Sequence, residues 1–192
     1  MTPTPPALLL DTCAIINLSY CSPVATLFKT RYTERVGWTR AVQTELTRQR
    51  SRKPPHPQAG RASNWATSWL PSPIEIVDSV DQIAIAKIQT QVALGSEDDN
   101  LDHLGEASSI HLLATNGAGR LISDDHGARA VARNQYQVLA SSTVGVLTEL
   151  LARGEVTPET ADLYLDTLRA QKRMQVALTS RDLLRRDLGP WD

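Results

Sequence analysis

At 192 residues and 41% hydrophobic content the chain is long enough for one sizeable core, and a single soluble globular domain is expected. The formal net charge of −1 excludes attraction to nucleic acid through overall balance, so any such attraction must come from local patches. Two cysteines, Cys13 and Cys21, in no CxxC or Cys/His pattern exclude a disulfide framework and structural zinc, and no apolar run approaches the roughly 20 residues that cross a bilayer. Free thiols in a reducing cytoplasm, with no membrane partner, are the expectation.

The first element in the chain is "ALLL", a short buried strand, followed by "TCAIINLSY" with apolar residues at helical spacing. Within "VGWTRAVQTELTRQRSR", Val42 and Leu46 stand four apart on one helical face with Glu45 beside them, and the segment ends in a basic run. From Lys29 to Arg61 nine Lys or Arg face two acids, which makes this the patch available to a polyanion. "KPPHPQAG" stops regular structure. A helix around "ASNWATSWL", with Trp65 and Trp69 read as core, and a strand around "IEIVD" follow. "SVDQIAIAKIQTQVALG" reads as a helix closed by Gly95.

The acidic stretch "SEDDNLDH", with Asp102 and His103, reads as a solvated loop. "GEASSIHLLATNG" is a helix with Ala107, Ile110, Leu113 and Ala114 on one face, stopping at Asn116-Gly117. "GRLIS" is a strand, "DDHGARAVARNQ" a helix, "YQVLAS" a strand and "TVGVLTELLARG" a helix. Strands alternating with helices across short turns indicate an α/β domain with a mostly parallel sheet. Residues 1–154 form that domain in this reading, and residues 155–192 a helical extension packed on it: Thr157 and Pro158 open one helix as N-cap and first residue, and "SRDLLRRDLG" forms a second.

In a parallel sheet functional groups gather outside the C-terminal strand ends. Asp11 ends one predicted strand, Asp124 and Asp125 end another, and Glu45 and Glu106 lie on helices able to face the same crevice. Several carboxylates held together raise one another's pKa, and a divalent cation resolves the conflict. Oxygen-only ligands favour Mg²⁺ or Mn²⁺ over zinc. Such a centre suits phosphodiester hydrolysis, with the basic segment holding a nucleic-acid backbone. Taken alone, Asp11, Asp124, Asp125 and Glu106 also fit helix caps or first-turn acids, and Glu45 a solvated helix face. Arg129 fits either a phosphate contact or a partner for the two Asp before it.

"LLLDTCAIINL", "AVQTEL", "LGEASSIHLLA" and "RLISDDHGARAVA" together resemble, in order and spacing, the acidic motifs of the PIN-domain ribonucleases, the family that includes VapC-type toxins. The segment from Thr143 to Arg186 is similar to the tail of a stand-alone subgroup with a GEA motif, a DD-x-x-x-R motif and two terminal helices. The resemblance implies a three-layer α/β/α fold with a mostly parallel sheet. It implies Asp11, Glu45, Glu106 and Asp125 as the catalytic acids and Asp11, Glu106, Asp124 and Asp125 around Mg²⁺ or Mn²⁺, where Asp124 and Asp125 could exchange roles. Thr12, Ser123 and Arg129, with Arg48, Arg50, Arg52 and Lys53, are then expected at the RNA substrate. An antitoxin covering the acids and a homodimer are partners the resemblance implies.

Two departures stand out: Glu106 replaces the usual Asp, and the loop "QRSRKPPHPQAGR" is longer than in most compact members. They keep a second reading open, an inactive adaptor that binds RNA or protein. Phosphotransferases that begin with a strand ending in Asp need another Asp two residues on, and here that residue is Cys13.

Overall fold

Leu8–Leu10 form strand β1, and the two-residue period of a strand sends Leu10 into the core on one face of the sheet and Leu9 into the core on the other. The computed structural model describes residues 6–53, 56–95, 103–171, 173 and 178–185. In chain order β1 is followed by α1 (Thr12–Tyr20), α2 (Ser22–Tyr32), β2 (Val36–Gly37), α3 (Arg40–Ser51), α4 (Ala59–Thr67), α5 (Ser79–Gly95) and α6 (Leu104–Asn116). Then come β3 (Arg120–Ile122), α7 (His126–Tyr136), β4 (Leu139–Ser141), α8 (Thr143–Ala152), α9 (Pro158–Ala170) and α10 (Ser180–Arg185).

The sheet order is β2-β1-β3-β4, and every pairing is parallel. Leu9 stands opposite Leu121 and Leu10 opposite Ile122. Each row therefore faces one core. Leu10 and Ile122 pack with Ile15 and Leu18 of α1, Phe28 of α2, Val42 and Leu46 of α3, Leu147 of α8 and Tyr164 of α9. Leu9 and Leu121 pack with Ile85 and Ile88 of α5, Ile110 of α6 and Val131 of α7. Helices thus cover both faces, the three-layer α/β/α arrangement that parallel strands require. Trp65 and Trp69 lie at the edge of the first core, their ring centroids 5.3 Å apart.

α9 joins the same first core through Ala161, Tyr164, Leu165 and Leu168, so residues beyond 154 share apolar burial with α1 and α8. Its expected cap is present, Thr157 accepting the Thr160 N–H. Gly117 ends α6 in the left-handed conformation, with φ +64°. Gly119, at φ +108°, sets the chain so close to β1 that a Cβ would lie 3.1 Å from the Pro6 carbonyl oxygen. The helix predicted over "SVDQIAIAKIQTQVALG" spans Ser79–Gly95, where this run of described residues stops.

Two sequence expectations change. "IEIVD" forms no strand; only Ile74 bridges to Thr39, beyond the end of β2. The segment sits between prolines at 71 and 73 and Asp78, whose side chain accepts the Val80 N–H at the start of α5, so the chain turns away after one bridge. Residues 22–37, given no element from periodicity, supply α2 and β2, and Val36-Gly37 pair with β1 ahead of α3. Among the described residues no helix is long and apolar enough to cross a membrane.

Candidate metal centre

α1 leaves β1 toward one face of the sheet and α7 leaves β3 toward the other, although β1 and β3 are neighbours. Their C-terminal ends therefore flank a crevice where the strand order reverses. Asp11 follows β1 directly and Ser123-Asp124-Asp125 follow β3. Each turn is so short that the residue leaving the strand also caps the helix. Asp11 Oδ1 accepts the Ala14 N–H at 2.6 Å, and Asp125 Oδ1 accepts the Ala128 N–H at 2.9 Å. Capping and site-forming, alternatives in the sequence, are one arrangement here. The N-terminal ends of α1 and α7 bring their positive dipole ends to the crevice, which favours anions there.

Burial decides what the acids can do. Asp11 is fully buried and Glu106 is 3% exposed, yet Asp11 Oδ2 and Glu106 Oε2 have no hydrogen-bond partner. Desolvation pushes the Asp11 carboxyl up to about 8, reinforced by Asp124 and Asp125 and opposed by the Ser123 hydroxyl and the Ala14 N–H. Glu106 is raised well above the ordinary glutamate value by burial first, then by the charges of Glu45, Asp11 and Asp125. Orphaned buried oxygens that repel one another fit a divalent cation nearby, whose charge would offset the repulsion, although Asp11 is not among the residues grouped closely enough to share one ion. A Glu106 oxygen, an Asp125 oxygen and a His103 ring nitrogen lie within 4.8 Å of one another, the spacing of groups that can share one ion.

The other acids hold the frame. Glu45 Oε2 accepts the Thr12 hydroxyl at 2.5 Å and Oε1 accepts the Gly105 N–H at 2.9 Å, tying α3 to the first residues of α1 and α6. A Cβ on Gly105 would lie 2.7 Å from Glu45 Oε2. The glycine of the "GEA" stretch is thus the space that lets Glu45 reach the backbone. Asp124 accepts the Thr143 N–H at 2.8 Å and its hydroxyl at 2.9 Å, together with the Asn17 amide at 2.6 Å. Asn17 in turn accepts Arg173 Nε at 2.8 Å, so an arginine from beyond α9 orients the amide that holds Asp124.

Thr12, Ser123 and Arg129, expected at the substrate, are all buried. Thr12 donates to Glu45, Ser123 Oγ accepts the Asp125 N–H at 3.1 Å, and Arg129 donates to the Ser123 carbonyl at 2.8 Å rather than to the two Asp. Arg48, Arg50, Arg52 and Lys53 are exposed at the end of α3. Arg48 and Glu45 line a cleft of about 220 Å³ with Thr39, Ile74, Leu104 and Ser108, so the basic end of α3 runs beside an acid of the site.

Sequence reasoning overlooked four residues. His103, read with the solvated loop, is 2% exposed and lies near Glu106 and Asp125 at the start of α6; Asp102 lies outside the described residues. Its place three residues before Glu106, at the start of a helix, was the available signal. Asn17, Thr143 and Arg173 act through contacts 19 to 156 residues apart in sequence, and no local pattern marks them. Cys21 is buried and Cys13 partly so, both free.

A family model described as a PIN domain matches residues 7–186. No curated protein and no solved structure matches the chain.

Proposed function

The chain belongs to the PIN-domain family, whose members are in general nucleases, and on that premise we propose that it is an endoribonuclease cutting single-stranded RNA with Mg²⁺ or Mn²⁺. The observation that carries this reading is the pair of buried, unpartnered carboxylate oxygens, on Asp11 and Glu106, at the crevice between β1 and β3. Asp11, Glu106 and Asp125 would hold the cation, which when bound lowers the pKa of a water and neutralises charge on the leaving oxygen. Asp124 has both oxygens engaged by Thr143 and Asn17, which favours Asp125 for the metal and Asp124 for holding the turn after β3.

Glu45 positions Thr12 and the first turn of α6, and so the carboxylate of Glu106. Ser123 and Arg129 brace the turn that carries Asp125. Arg48, Arg50, Arg52 and Lys53 would take the phosphates of a strand lying along the cleft beside Glu45. Incubation of the purified protein with a single-stranded RNA and Mn²⁺ or Mg²⁺ tests this. Cleavage abolished by chelator and lowered at least about 100-fold by Asp11→Asn is expected, a size typical of removing a group that stabilises the transition state. RNA retained without cleavage under either metal would favour the adaptor reading.

Family membership also motivates a toxin role, with a protein that covers the acidic crevice and a second copy of the chain as partners. Growth arrest on expression, relieved by a neighbouring gene product, tests the first, and light scattering the second.

A further inference from the structure

His103 is 2% exposed, and its Nδ1 has no hydrogen-bond partner. Asp125 Oδ2 lies 3.9 Å away, too far for a hydrogen bond. The residue stands at the N-cap of α6 but caps nothing with its side chain. Its backbone takes φ +48°, a left-handed conformation uncommon for any residue but glycine and one that functional sites tend to retain. A glycine would fit this backbone without strain but would place no ring nitrogen beside the acids. The outcome of this costly local choice is a nitrogen within 4.8 Å of oxygens of Glu106 and Asp125.

We propose that His103 is a ligand of the metal, its Nδ1 joining Glu106 and Asp125 on one side of the ion, and that this nitrogen makes the site select Mn²⁺ over Mg²⁺. Imidazole binds first-row transition ions more strongly than Mg²⁺, which takes oxygen almost exclusively. The surrounding carboxylates keep the site hard enough for Mn²⁺. An ion about 2.1–2.2 Å from each atom would draw the three ligand atoms slightly closer together. The inference rests on the metal-dependent reading above and adds to it the identity of one ligand and of the ion.

The experiment is pulsed electron paramagnetic resonance on the full chain loaded with Mn²⁺, beside calorimetric titration with Mn²⁺ and with Mg²⁺. A nitrogen hyperfine coupling of directly bound imidazole, altered by nitrogen-15 labelling of histidine and absent in His103→Gln, is expected. That variant should bind Mn²⁺ about 10–100-fold more weakly while Mg²⁺ affinity changes little. Should His103→Gln fail to fold, the labelled wild-type protein still decides, since His56, His111 and His126 are not among the residues grouped around the acids. Mn²⁺ bound in an Asp11-dependent manner without nitrogen coupling would overturn the inference and leave the nuclease reading standing. Failure to bind either ion would overturn both.

Discussion

Replacing Asp11 with asparagine keeps an oxygen for the Ala14 N–H and removes an ionisable group from a fully buried place. Asp11 ionises near 8 in the folded protein against 3.8 for the ordinary side chain. A group whose folded pKa is raised contributes stability that is fully present below about pH 4 and is lost as pH rises toward 8, so Asp11 by itself should weaken the metal-free protein by about 1.4 kcal/mol per pH unit across that window, in addition to the loss from Glu106, which is raised in the same direction. At about pH 7 the accumulated loss is roughly 4 kcal/mol. Asparagine escapes that loss but brings amide N–H groups with no evident acceptor, a cost of about 1–2 kcal/mol. Metal-free Asp11→Asn should therefore be about 2–3 kcal/mol more stable than the wild type at that pH, a Tm rise of about 5–10 °C for a chain of this length.

Metal closes the gap. A ligand at about 100 times its Kd stabilises the wild type by about 2.7 kcal/mol, and Asp11→Asn should gain little. Because binding displaces the Asp11 carboxyl proton, this residue alone should raise wild-type affinity about tenfold per pH unit below about pH 8. Thermal melts of both proteins from about pH 5 to 8, with chelator and with Mn²⁺, read all of this. A metal-free variant that is less stable than the wild type, or that keeps the wild-type pH slope, would refute the argument that Asp11 is an uncompensated acid.

Gly105→Ala should lower stability and activity together, although alanine would favour the helix by up to about 1 kcal/mol, because its Cβ would displace Glu45 from Thr12 and the Gly105 N–H; a stabilised, fully active variant in melting and cleavage assays would refute this. Arg173→Ala should reduce kcat about fivefold, worth about 1 kcal/mol for one hydrogen bond, with metal affinity unchanged in calorimetry, since the arginine acts through Asn17 on Asp124. Arg48→Ala combined with Arg52→Ala should weaken RNA binding and flatten its dependence on log salt by about 1.4, as expected for two lost phosphate contacts to a single strand; filter binding at several salt concentrations measures the slope.

Much of the layout was legible because it rests on local signals. Leu8–Leu10 and Arg120–Ile122 are short strands followed within three residues by an Asp, and an Asp after a strand is also the residue best suited to cap the helix that follows. Helix spacing placed Val42 and Leu46 in the core, and Asn116-Gly117 marked a helix end. The edge of the sheet was not legible, since β2 has only two residues and "IEIVD" has strand composition with one bridge to pair with. Pairing depends on what lies alongside, which composition does not report.

The sequence by itself determined which acids the protein has, their order along the chain and their positions at strand ends and helix starts, because propensity and capping act within a few residues. Only the tertiary structure decided how each acid is partnered. Burial leaves oxygens of Asp11 and Glu106 without partners, while Glu45 and Asp124 spend theirs on Gly105, Thr12, Asn17 and Thr143. It also turned His103 from a member of an acidic loop into a neighbour of the acids. Desolvation and hydrogen-bond satisfaction are properties of a packed neighbourhood, assembled here from strands and helices more than 90 residues apart, and no local pattern encodes them.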